Sequence, residues 1–438
     1  MKAVAALLDR VPWTQGRFVR DSSILAVGLV AAQAITVGAS PILTRYYSPD
    51  EFGALSAFSA IAGAISVIAC LSFEPAIVLP ATDEDAASVL VLCLIAVGAV
   101  SLLTLIGLLI WAKPLGLLLK IDGLGRWAWW IPLNLACAGT YQAFNYWSTR
   151  HRQFAGVAVT RVGQAGATAA TQLAGSGASG LTSGAVVGQA FASALLVAYG
   201  GPAALRAWRA RGKGCSTLGR IAREYHRFPL YSSWASFMNS GAFQVVPLVL
   251  TSAFGPAVAG WYFLGFRLAT VPMSFIGAAA GQVILQRSAE QLARGDSLNG
   301  MVERVVGKSI LFGAAPFVVL AVFAPSAFAA IFGEEWRMSG VLLRIMVPLF
   351  FVQFLTSPVS MILYSLQRQN LVAWVQAALF FGSLVSLLVG KHLFGSPAAC
   401  LALYTVVQSS LYFVYLGLVV RCSSASPRMI LREALTFR

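Results

Sequence analysis

Twelve apolar runs, each long enough to cross a bilayer, constrain this chain more than any other feature. A hydrocarbon core of about 30 Å needs about 20 residues of helix at about 1.5 Å each. Runs of that length fall at 22–44, 53–79, 86–111, 127–148, 154–178 and 181–205, and again at 228–252, 257–285, 306–332, 340–365, 370–392 and 397–420. Because hydrocarbon offers the backbone no hydrogen-bond partners, such runs must be helices that satisfy their own N–H and C=O groups. The expected fold is therefore an all-α polytopic membrane protein of about 12 transmembrane helices. Composition agrees: the 438 residues are 58% hydrophobic and only 11% charged, with mean hydropathy +0.76. Soluble domains average about 25% charged, so no soluble domain is expected.

The most basic stretch, 206–227, separates two blocks of six runs and carries seven Lys/Arg against the single acid Glu224. It cannot enter hydrocarbon and suits an anionic leaflet, which makes it a cytoplasmic hinge. The chain then divides into an amphipathic lead-in (1–21), a six-helix bundle (22–205), the hinge (206–227), a second six-helix bundle (228–420) and a basic tail (421–438). Only five apolar residues, 4–8, precede Asp9 and Arg10, too few for a cleavable signal, so a cytoplasmic lead-in is expected. With both termini inside, 22 Lys/Arg fall on the cytoplasmic side and 7 outside, a clear positive-inside bias. Two connectors dissent, the acidic turn Asp83-Glu84-Asp85 inside and the three bases of 113–126 outside.

The net charge of +15 resides in these connectors, and no basic stripe alternates with exposed aromatics, so nucleic acid is excluded as a partner. Four of the six cysteines, Cys70, Cys93, Cys137 and Cys400, lie inside apolar runs, and none forms CxxC. The histidines His151, His226 and His392 have no ligand spacing or triad partner. Neither a metal nor a cofactor is expected. No phosphate-binding GxxxxGK[ST] loop is present for ATP-driven transport. No connector exceeds roughly 25 residues, where a membrane-embedded polymerase or ligase needs a larger outer loop, so any activity must reside in the helices.

The two blocks show internal similarity. Shifted by 207 positions, the 46–58 segment YYSPDEFGALSAF meets AFGPAVAGWYFLGF at 253–266, with Pro49 on Pro256 and Gly53 on Gly260. Each is read as a tight outer turn in which Pro starts a helix and Gly lets it run close to a neighbour. Six spans being even, the halves insert with the same polarity and are related by an axis along the membrane normal. Two such halves enclose a central cleft that opens to either side by rocking. Six prolines, Pro132, Pro247, Pro272, Pro316, Pro348 and Pro358, interrupt helices and are candidate bends. Gly184 and Gly188 in the sixth span are read as packing residues.

TRYYSPDEFG (44–53), FEPAIVLP (73–80) and the acidic turn that follows resemble the polysaccharide-transporter branch of the multidrug/oligosaccharidyl-lipid/polysaccharide flippase superfamily. Gly260-Trp261-Tyr262, with Arg267 and Pro272 beyond, is similar to that family's eighth helix. One departure is Ser72 ahead of Phe73-Glu74, where the family often has Arg. The resemblance implies a bacterial inner-membrane flippase that moves a polyprenyl-diphosphate-linked oligosaccharide to the periplasmic leaflet for O-antigen, capsule or exopolysaccharide synthesis. Implied partners are that lipid, the membrane lipids, and polysaccharide polymerase and glycosyltransferases. The alternative within the superfamily is a cation-coupled drug or small-solute antiporter, which favours acidic residues deep in helices.

Charges inside spans mark the candidate pathway, because each costs at least about 2.5–3.5 kcal/mol to insert and faces a bundle interior or cavity. Arg267 stands about ten residues into the eighth span and Arg161 lies in the fifth. Both are expected to line the cleft and attract diphosphate or acidic sugars, since guanidinium pairs phosphate in a forked geometry. The competing role is a structural Arg satisfied by helix-end carbonyls or by a carboxylate elsewhere or, for Arg161, one that snorkels to the cytoplasmic face. Arg45, beside Tyr46 and Tyr47, is either an interfacial anchor or an outer member of the pathway, and Arg126 with Trp127, Trp129 and Trp130 is read as an aromatic belt. Glu74, ahead of Pro75, either couples transport to protons or sodium or is a helix-end carboxylate wetted at the interface.

Overall fold

The computed structural model describes residues 17–435, less 121–128, 211–215, 227, 230–232 and 367. Most of the lead-in at 1–21, Arg126 and Trp127 of the proposed belt, Lys213 and Arg227 of the hinge, and residues 436–438 lie outside that set. Among the described residues all regular structure is helical, and one long helix answers each of the twelve runs. The first half holds α1 (Arg17–Tyr46), α2 (Pro49–Ser66), α3 (Asp83–Leu119), α4 (Trp130–Arg150), α5 (Phe154–Ala174) and α6 (Gly177–Ala210). A short amphipathic helix, α7 (Ser216–Glu224), occupies the hinge. The second half holds α8 (Ser233–Phe254), α9 (Pro256–Ala293), α10 (Asn299–Phe332), α11 (Arg337–Ser360), α12 (Gln369–Leu393) and α13 (Pro397–Cys422). Amphipathic α14 (Pro427–Leu435) docks on α10, where Glu303 accepts from the Ser426 amide at 2.7 Å.

Among the described residues, eight helices are long and apolar enough by composition alone to cross a membrane. Of the other long helices, α2 shows the physical reason for falling short: it buries ten of its 18 residues against protein, many of them Gly, Ala and Ser. Where a helix faces lipid its large apolar residues are outward, as with Leu103, Leu109, Ile110 and Leu117 on α3. Several helices outrun their apolar stretches. Thus Lys113 lies on α3, Arg304 and Lys308 lie on α10, and α6 carries Arg206 and Arg209 of the basic stretch. Pro247, Pro316, Pro348 and Pro358 lie inside helices, whereas Pro132 sits in the first turn of α4, where it displaces no hydrogen bond.

The second apolar run is not one helix. After Ser66 the chain unwinds, with Leu71 and Ser72 at φ 49° and 54°, and resumes as a 3-10 segment, Glu74–Val78. Positive φ at two non-glycine residues is strained backbone. Pro75 pushes Glu74 away from an α-helical continuation, and hydrophobicity alone cannot register either effect. Arg150 at the end of α4 holds the break in place: its guanidinium donates to the carbonyls of Pro80 (2.7 Å) and Val78 (3.4 Å) and to Asp83 at 2.9 Å. Asp85 meanwhile pairs with Arg220 of α7 at 3.2 Å. The acidic turn that dissented from the charge bias is therefore the acceptor set for two basic elements on the hinge side.

Residue spacing explains the α1–α2 corner. Ser48 and Glu51 form a reciprocal capping box, Ser48 N–H donating to Glu51 Oε2 at 2.8 Å, with Pro49 at the first helical position. Its counterpart in the second half turns at Gly255 (φ 97°) into Pro256. The two corners meet face to face. A β-carbon on Gly53 would sit inside the Pro256 carbonyl, and one on Gly260 inside the Pro49 carbonyl. This reciprocity is the twofold relation between the halves expressed in backbone atoms. Gly184 and Gly188 likewise let α6 lie against Gln172 and Thr168 of α5, a packing role.

Apolar burial is distributed unevenly along the membrane normal. At the far side from the hinge one core runs through both halves, joining Leu43, Phe52 and Phe58 to Leu250, Tyr262 and Trp336. There the Trp336 ring meets Phe52 at 4.9 Å and its Nε1 donates to the Thr44 carbonyl at 3.1 Å, while Lys120 Nζ donates to the Ala253 carbonyl at 3.1 Å. On the hinge side the core splits into two, one around Ile77, Trp147 and Ile221 in the first half, the other around Val302, Val359 and Val419 in the second. A buried Ser233–Ser72 hydroxyl bond of 3.1 Å crosses between them. The protein is thus sealed at the far end and divided at the hinge end. Replacing Gly260 by Val inserts a branched side chain where no atom fits; spin labels at Asp50 and Glu335 are expected to move apart in pulsed EPR, with the hinge side drawing closer.

Candidate substrate cleft

The seal sets the depth of the key charge. Seven residues return an α-helix to the same face, so Arg267 points the way Gly260 does, toward the first half, about 10 Å nearer the hinge. Arg267 is half-buried and, among the described residues, has no carboxylate partner. Its guanidinium carbon lies 5.9 Å from the centre of the Phe263 ring one turn away. The neighbouring Thr270 hydroxyl is turned to its own helix, donating to the Phe266 carbonyl at 2.9 Å, and gives the cation nothing. A half-buried guanidinium with no carboxylate partner among the described residues has the chemistry to pair with an anion.

The other candidates are not gathered around it. Arg161 lies on α5, which packs on α1, α4 and α6. It stands about 10 Å from the hinge-side end of that helix, half-buried and without a carboxylate. It shares a face with Gln164, whose amide donates to Gln189 of α6 at 2.6 Å. Arg45 is exposed in the last turn of α1, at the level of the seal. Trp129 and Trp130 stack at 4.1 Å at the start of α4, with Trp129 exposed.

Glu74 opens the 3-10 segment and is half-buried, with its Oε2 buried and without a hydrogen-bond partner among the described residues. Tyr146 and Cys93 both lie within its field. Ser72 occupies the place where a basic partner would stand. Arg150 is committed to Asp83 and to backbone carbonyls. The carboxyl therefore has no cationic partner among the described residues.

A feature invisible to a search for charges lies in the second half. Between α8, α9, α11, α12 and α13 is a cavity of about 380 Å³, lined by Asn239, Thr270, Gln353, Ser357, Gln376 and Tyr412 among others, with Tyr364 at its hinge-ward mouth. All its lining side chains are uncharged. Neutral amides inside apolar runs are easily passed over as packing; their clustering at one depth of separate helices was the only available signal.

A twelve-helix membrane protein with twofold halves around a cleft is the fold of transporters and flippases, and solved structures bear this out. An inward-facing multidrug resistance MATE family transporter of the MOP superfamily matches with TM-score 0.69 and 15% identity, covering 94% of this chain and 100% of that one. The lipid II flippase MurJ in an inward closed conformation matches with TM-score 0.73 and 11% identity, covering 94% and 90%. An outward-facing MATE family transporter matches with TM-score 0.59 and 15% identity, covering 94% and 97%. No curated protein matches the sequence. The family model of polysaccharide biosynthesis proteins matches residues 42–340, and the chain belongs to that family.

Because Arg267 forms no ion pair among the described residues and its one ring contact is long, Arg267→Ala is expected to insert normally and to change the thermal midpoint by no more than about 2 °C. Asp83→Ala, which frees Arg150 beside strained backbone, is expected to lower it by several degrees. Thermal unfolding of both variants in one detergent checks the pair.

Proposed function

We propose that this protein is a flippase that carries a polyprenyl-diphosphate-linked oligosaccharide from the cytoplasmic to the periplasmic leaflet of a bacterial inner membrane, by alternating access, with both termini cytoplasmic. The observation that carries this reading is Arg267, half-buried on the face of α9 that carries Gly260 and with no carboxylate partner among the described residues, while the hinge side stands divided. A cation in that place attracts an anionic headgroup entering from the hinge side, and no protein carboxylate among the described residues competes for it. Opening of the Pro49/Gly53–Pro256/Gly260 contact then exposes the same site to the other leaflet. Membership in a polysaccharide biosynthesis family supports a glycan cargo. Glycosyltransferases that build the lipid-linked unit and a polymerase that consumes it are the proposed partners, and O-antigen, capsule or exopolysaccharide the proposed product.

Glu74 is the proposed coupling group, because a buried carboxyl oxygen with no partner is free to take up a proton or a cation. Arg161 is proposed as a second cargo contact nearer the hinge, and Arg45 as an anchor at the outer surface.

Deletion of the gene is expected to abolish surface polysaccharide and to accumulate the lipid-linked precursor on the cytoplasmic side, measured by extraction and mass spectrometry. Arg267→Ala at normal abundance should reproduce that accumulation, and Arg267→Lys should relieve it in part. Glu74→Gln is expected to retain cargo binding while its transport in proteoliposomes no longer responds to an imposed proton or sodium gradient. Gradient-driven transport at the wild-type rate in Glu74→Gln would remove the coupling assignment.

A further inference from the structure

The cavity in the second half has the chemistry of a sugar site. At about 380 Å³ it falls within the range of small-molecule pockets. Two of its amides, Asn239 on α8 and Gln376 on α12, make no side-chain hydrogen bond among the described residues, and Asn239 is exposed to the cavity. A third, Gln408, borders the adjoining recess and is fixed, donating to the Leu379 carbonyl at 2.9 Å and to Ser383 Oγ at 2.7 Å. Beside the free amides stand the aromatic faces of Phe243, Tyr412 and Tyr415. Amides that both donate and accept, set next to aromatic surface and away from any formal charge, match the alternating hydroxyl edges and C–H faces of a pyranose. A metal cation would call for anionic oxygens, and among the described residues no group of three or more His, Cys, Asp or Glu exists.

The position is as informative as the chemistry. Thr270 lines the cavity and lies one turn beyond Arg267 on the same face of α9. The anion receptor and the neutral pocket are therefore consecutive along one helix, the pocket on the hinge side.

We infer that this cavity is a recognition site for an uncharged sugar residue of the cargo, the one linked closest to the diphosphate held by Arg267. This rests on the flippase reading and adds to it a place where cargo is told apart: the diphosphate, common to all such lipids, is bound by Arg267, and the amide pocket reads the sugar. The pocket also gives the glycan partners for hydroxyls that leave water on entering the cleft. Leaving those hydroxyls unpaired would cost far more than pairing them gains, so a pocket of this kind discriminates strongly.

The test uses the full chain in lipid nanodiscs and two probes, a polyprenyl diphosphate and the same lipid bearing one N-acetylhexosamine, with binding read by native mass spectrometry. The wild type is expected to bind the sugar-bearing lipid about tenfold more tightly. In the double variant Asn239→Ala, Gln376→Ala the preference should fall below about twofold while affinity for the bare diphosphate lipid is unchanged, which also shows that the variant is folded. Arg267→Ala should weaken both probes alike. Equal wild-type affinities, or a double variant that loses both probes in parallel, overturns the sugar site and leaves the flippase reading standing. Failure of the wild type to bind either probe overturns the flippase reading, and the sugar site with it.

Discussion

Two glycines that allow two prolines' carbonyls to approach hold the far end of this protein together. Gly53 against Pro256 and Gly260 against Pro49 form a contact with no side chain on the glycine side, so its geometry is set by backbone alone and repeats itself across the twofold. Backbone contact of this kind is short-ranged and stiff. Small displacements break it altogether, which suits a gate that must be either shut or open. The aromatic contacts of Trp336 around it add apolar burial and stay on the outer side. They leave the interior beneath free to be polar.

The arrangement of charge follows from that seal. With the far end closed and the hinge end split into two cores, the cleft is a blind passage whose deepest charged residue on α9 is Arg267. Three arginines outside the apolar runs are paired locally: Arg150 on Asp83, Arg220 on Asp85, Arg337 on Glu334. These pairs sit at helix ends, where each ties one element to another. Arg267 and Arg161, inside their spans, have no carboxylate partner among the described residues, and a charge inserted at that cost without a partner is a candidate for function.

Much of this was legible in the residues. Span number follows from run length, because hydrocarbon thickness and helical rise leave little freedom. The Pro/Gly coincidence at a shift of 207 pointed to equivalent turns, but not to their touching each other, since sequence spacing carries no information on which repeats face across an axis. The break at 67–73 was hidden because Leu71 and Ser72 are as apolar or as small as a continuing helix would require; only Pro75 hinted at it, from three residues downstream. The acidic turn looked like an exception to orientation and proved to be the anchor of that break. Arg267 stood out because insertion of an Arg is costly, and Glu74 stood out for the same reason. The amide pocket did not, because Asn and Gln are inexpensive enough in membrane helices to be common.

Cargo that is charged at one end and neutral at the other poses a particular problem to a helical bundle. A strongly basic cleft would hold the diphosphate too firmly to release it, and a wholly apolar one would reject the glycan. On the proposed reading, a guanidinium on α9, with Thr270 one turn on and the amides of α8, α11 and α12 around the cavity, divides the work by depth. The charge supplies attraction that is the same for every lipid diphosphate, and the neutral groups supply contacts that depend on the sugar. Since α9 also carries Gly260 into the seal, the helix proposed to hold the cargo is also part of the contact that must open. On that reading, occupancy beside Arg267 and opening at the Gly260 contact fall on one helix about two turns apart, which joins cargo binding to gate opening without any intermediate part.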